Sequence, residues 1–69
     1  MDPAISKEQH QRITNAAINA LTHIIETHFE ERYAMTAHLI GIVKNDSPLS
    51  TSQKCETIRA ILTKLHTLH

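Results

Sequence analysis

The sequence predicts an all-α fold: a long helix followed by a shorter antiparallel helix, a helical hairpin that dimerises into a four-helix assembly. Three observations carry this expectation. Chain breakers are sparse, with Gly41 the single glycine and Pro3 and Pro48 the only prolines in 69 residues. Apolar residues recur at three- and four-residue spacing on both sides of one turn-rich stretch, which is the signature of amphipathic helices. Two capping-box sequences stand where such helices would begin.

The first capping box is Ser6-Lys7-Glu8-Gln9. There the Ser6 hydroxyl can accept from the Gln9 amide N–H while the Gln9 side chain reaches back to Ser6. A helix over about residues 7–44 follows. With Ile13 at zero and about 100° per residue, Ile13, Ala17, Leu21, Ile24, Ile25, His28, Met35, Leu39, Ile42 and Val43 fall within about 120° of arc. The stripe stays in phase along its whole length, which favours one helix roughly 57 Å long. The segment Glu26-Thr27-His28-Phe29-Glu30-Glu31 contains three poor helix formers in a row, and a break at about residues 27–30 gives a three-helix alternative.

The linker is Asn45-Asp46-Ser47-Pro48-Leu49-Ser50, a cluster of turn formers around a proline. Ser50-Thr51-Ser52-Gln53 then repeats the capping form, with Ser47-Pro48 a competing start. The second helix, about residues 51–67, carries Cys55, Ile58, Ile61, Leu62, Leu65 and Leu68 on its apolar stripe, with Glu56, Thr57, Arg59, Lys64 and Thr67 off it. Residues 1–69 thus read as a single helical domain.

The two lengths do not match. A second helix of about 27 Å covers only the far half of a 57 Å partner. Ile13, Ala16, Ala17, Ala20 and Leu21 are left uncovered, and exposing apolar surface costs about 25 cal/mol per Å². A second copy of the chain covers them most simply, through a two-fold interface that also takes in Ile24 and His28. A chain this short seldom builds a sufficient core alone. A disulfide within the chain cannot help, because Cys55 is the only cysteine. His28 lies mid-stripe, one turn from Arg32, and both would need the carboxylates of Glu26, Glu30 or Glu31 from the other chain.

Ile18, Phe29, Tyr33 and Ile40 form a second apolar face. Phe29 and Tyr33 are the only aromatics and sit one turn apart. Aromatic residues and arginine dominate binding hot spots, so Phe29, Arg32, Tyr33 and Ile40 are the candidate partner-binding residues. The competing reading makes the aromatics core residues of the dimer.

Other chemistries find little purchase. Seven Lys+Arg balance seven Asp+Glu, leaving no strong field to hold nucleic acid or anionic lipid. Lys54, Arg59 and Lys64 are spread around the second helix and form no ridge. The six histidines, His10, His23, His28, His38, His66 and His69, make no metal site at ligand spacing. Cys55 has no base nearby in sequence and reads as a small apolar residue of the stripe. No glycine-rich phosphate cradle exists. No catalytic residue, cofactor or metal is expected. No apolar run approaches the ~20 residues of a membrane span. The absence of a signal-like segment together with a lone cysteine suits the cytoplasm.

The stretch Leu39-Ile40-Gly41-Ile42-Val43-Lys44-Asn45-Asp46-Ser47-Pro48-Leu49, followed by Ile58, Ile61 and Leu62, resembles the small biofilm-development and acid-response regulators of enteric bacteria. That resemblance implies a short all-helical dimer acting as a connector through protein partners. In size and helical character the chain is also similar to phage-encoded anti-activators, helical dimers that occupy host regulators. The expected function is therefore that of a non-enzymatic bacterial or phage regulator or inhibitor, a homodimer binding another protein through its helical faces. A nucleoid-type DNA-binding modulator, and a small chaperone or subunit of a hetero-complex, are the alternatives.

Overall fold

A computed structural model describes residues 5–67. They form three α-helices and no strand: α1 (Lys7–Thr27), α2 (Arg32–Asp46) and α3 (Thr51–Thr67), with a 3₁₀ turn over Phe29–Glu31 between α1 and α2. Leu68 and His69 lie outside the described residues, and with them the last stripe position and one of the six histidines.

Both capping serines occupy their expected places. The Ser6 hydroxyl accepts from Gln9 N–H at 3.2 Å. At α3 the box is reciprocal: Ser50 Oγ accepts from Gln53 N–H at 3.2 Å, and Gln53 Oε1 accepts from Ser50 N–H at 3.1 Å. Together these bonds fix the helix starts at Lys7 and Thr51, and the competing start at Ser47-Pro48 is not used.

The continuous first helix is not what the chain forms. It bends at His28, whose φ of −137° and ψ of 47° leave the helical region. The last regular bond runs from His28 N–H to Ile24 O at 2.7 Å, and Glu31 N–H then bonds His28 O at 3.0 Å in 3₁₀ fashion. The bend falls where helix propensity is weakest. Thr27 Oγ1 lies 2.7 Å from both His23 O and His28 Nδ1. Such local side-chain bonds compete with helix continuation. Arg32 closes the turn by donating to Phe29 O at 2.8 Å.

The bend resolves the length mismatch within one chain. α2 folds back antiparallel to α1, and α3 returns parallel to α1, so α1 lies against both. Ala17, Leu21, Val43, Leu49, Ile61 and Leu65 make the core, with Ile5, Ile13, Ile18, Ile25, Leu39, Ile40 and Ile58 packed around it. Ala17, Leu21 and Ile24 are therefore buried by their own chain, and the stripe no longer requires a second one to cover them. Leu49 plugs the bundle from inside the linker. The bundle is 39 Å long.

The buried face of α3 differs from the expected stripe. Gln53, Thr57, Ile61 and Leu65, each four residues from the next, point inward, while Cys55 and Leu62 are exposed. Polar partners explain the rotation. Gln53 holds the backbone of Ile5 at both ends, with Nε2 donating to Ile5 O at 2.9 Å and Oε1 accepting from Ile5 N–H at 3.3 Å. Thr57 is fully buried, and its hydroxyl meets His10 Nε2 at 3.0 Å and Thr14 Oγ1 at 2.9 Å. With these groups satisfied on the inside, the small thiol of Cys55 turns outward, against the expectation that it would be buried.

Candidate protein-binding site

The end of the bundle where α1 turns into α2 presents both aromatic side chains. Phe29 sits in the 3₁₀ turn and is 47% exposed; Tyr33, in the first turn of α2, is 59% exposed. Arg32 is held between them. Its guanidinium carbon lies 3.9 Å from the Phe29 ring centroid and 4.6 Å from that of Tyr33. A guanidinium over aromatic faces gains cation–π attraction and is immobilised by it. Its bond to Phe29 O locks the same geometry from the backbone side. Immobilised aromatic and arginine side chains lose little entropy on contact, which is why such groups anchor interfaces. Glu26, Glu30 and Glu31 are exposed around this tip.

The spacing therefore brings Phe29, Arg32 and Tyr33 together as one patch. Ile40 does not belong to it: the side chain is half-buried and packs against the core. Of the residues expected at a dimer interface, Ile13 and Ala20 are half-buried, Ala16 is exposed, and Ala17, Leu21 and Ile24 are in the core. His28 is exposed at the bend and is not a buried mid-stripe residue, because the stripe itself stops there.

A second surface feature is an apolar cleft of about 350 Å³ lined by Ile24, Ala34, Met35, His38, Leu39 and Ile42. Ile42 is 44% exposed within it.

A third arrangement has the order of a hydrolase triad. The Glu56 carboxylate is 3.8 Å from His10 Nδ1, and His10 Nε2 is 3.0 Å from Thr57 Oγ1. A nucleophile must be reachable by substrate, and Thr57 has no exposed surface. Its hydroxyl is also engaged by Thr14. The geometry is that of a satisfied polar contact, in which the buried Thr57 oxygen has two partners. In the sequence Thr57 falls outside the apolar stripe and Gln53 in a capping box; their spacing of four with Ile61 and Leu65 is the signal that groups them on the buried face.

Among the described residues, no three His, Cys, Asp or Glu side chains are grouped so as to hold a metal ion. No helix of the described residues is long and apolar enough to cross a membrane. No family model, curated protein or solved structure matches this chain.

Proposed function

We propose that the chain is a small non-enzymatic regulator or inhibitor that acts by binding another protein, with Phe29, Arg32 and Tyr33 as the anchor. The observation that supports this most is the placement of both aromatics of the sequence at one exposed tip, with an arginine stacked between them. A domain this small gains from burying aromatic surface in its own core. Leaving about half of each ring in solvent forgoes part of that gain, which is reasonable where the rings serve a contact. The resemblance of residues 39–49 to connector regulators accords with the same reading, as does a formal charge of zero, which disfavours nucleic acid.

The test is a comparative capture experiment. Bacterial lysate is passed over the immobilised wild-type chain and over an Arg32→Ala/Tyr33→Ala variant, and retained proteins are identified by mass spectrometry. A partner retained by the wild type and lost by the variant, with thermal stability of the two chains within a few degrees, is the expected result. Equal capture by both chains refutes the patch. A nuclease-sensitive profile dominated by DNA-associated proteins favours the DNA-binding alternative.

A further inference from the structure

We infer that this chain exchanges its α2–α3 hairpin with a second copy of itself, the bend at His28 opening into one continuous helix over residues 7–46. The open form is a second conformation of the chain alone and needs no partner protein at the tip.

No chain breaker enforces the bend, and the bonds that hold it are local side-chain bonds of Thr27 and Arg32. Between Lys7 and Asp46 there is no proline, and the only glycine, Gly41, lies inside α2. The departure from helical geometry is confined to a few residues: His28 at φ −137° and ψ 47°, and Glu31 at φ −97° and ψ 13°, with Arg32 already helical at φ −56° and ψ −38°. Returning His28 and Glu31 to helical values joins α1 and α2 into a helix about 60 Å long. Short connections between packed helices are the usual hinge of domain swapping.

The apolar phase supports the open form. Ile13, Ala17, Leu21 and Ile24 of α1 and Met35, Leu39, Ile42 and Val43 of α2 share one face when the helix is drawn straight through residue 28. A chain selected only for the bent form has no need to keep the two stripes in register across the break. In the open form that face loses its covering, and a second open copy restores it with the same contacts. Gln53 of one copy grips Ile5 of the other, Thr57 meets the other copy's His10 and Thr14, and Val43, Ile61 and Leu65 pack on the other copy's Ala17 and Leu21. The exchange is reciprocal and closes about a two-fold axis. The α2–α3 hairpin, whose two helices pack on each other and whose linker buries Leu49, moves as a unit.

The axis passes near the former bend. In the straight helix His28 falls mid-stripe with Glu31 and Arg32 on its two flanks, so antiparallel crossing sets Glu31 of each copy beside His28 and Arg32 of the other. His28 and Glu31, exposed at the tip of the closed bundle, and Arg32, stacked there on the two rings, thereby become complementary pairs at a crossing.

The experiment compares the wild-type chain with His28→Ala and His28→Gly after refolding at millimolar concentration, using light scattering on a sizing column. Each dimer contains two hinges, so the helix-propensity gap between alanine and glycine acts twice and separates the two dimerisation constants by about 30-fold, alanine the tighter. Equal parts of isotope-labelled and unlabelled wild-type chain are then refolded together. Isotope-filtered NOEs between Thr14 of one chain and Thr57 of another are expected in the dimer fraction. A dimer in which those NOEs remain within single chains overturns the proposal. So does a chain that stays monomeric throughout, or an alanine-to-glycine ratio near one.

Discussion

Replacing Thr57 by valine isolates the polar link between α1 and α3. Valine has nearly the shape of threonine, so packing around Ile61 is kept and the change is confined to one hydroxyl. That hydroxyl meets His10 Nε2 at 3.0 Å and Thr14 Oγ1 at 2.9 Å, and Thr57 has no exposed surface. A typical hydrogen bond contributes about 0.5–1.5 kcal/mol net, and two are removed. His10 and Thr14 are half-buried and recover part of their hydration, which keeps the loss toward the middle of that range. The expected destabilisation is about 2 kcal/mol, or a fall in Tm on the order of 10 °C for a domain of this size. Thr57→Ser is the control. It keeps the oxygen and deletes a methyl group, costing about 1 kcal/mol from lost burial. Urea unfolding followed by circular dichroism gives both values. If valine proves equal to the wild type or better, the hydroxyl contributes nothing and the inward rotation of α3 needs another cause. A Thr14→Val/Thr57→Val cycle would then show no coupling.

Two further outcomes follow from the same bookkeeping of buried polar groups. Thr36 is 2% exposed and its Oγ1 has no hydrogen-bond partner among the described residues; Thr36→Val should raise stability by about 1 kcal/mol in urea melts, and a loss would reveal a partner for that hydroxyl. Gln53→Ala removes three side-chain bonds, two to Ile5 and one to Ser50 N–H; stability should drop by about 2 kcal/mol, and the Ile5 amide should exchange with solvent faster relative to core amides in hydrogen-exchange NMR.

Much of this bundle is written locally. Ser6 and Gln9, then Ser50 and Gln53, announce the two helix starts because capping chemistry lies within four residues. The linker around Pro48 is equally local. The bend at His28 is not, since residues 26–31 disfavour a helix only weakly and contain no breaker. What decides there is the tertiary gain of folding α2 back over Ala17 and Leu21, which is invisible to periodicity when the stripe continues in phase. The inward face of Thr57 is hidden for a related reason: a polar residue looks solvent-facing until its partners, more than forty residues away, are known. The grouping of Phe29, Arg32 and Tyr33 could be read from spacing, because one helical turn sets it; their solvent exposure could not, because it depends on the bend.

The grip of Gln53 on Ile5 has a practical corollary. Both backbone groups of Ile5 are tied to the start of α3, so anything joined ahead of that residue departs from a defined point at the foot of the bundle. Phe29 and Tyr33 stand at the opposite summit. A linker or affinity handle attached ahead of Ile5 would therefore join the molecule at the end of the bundle farthest from its aromatic crown.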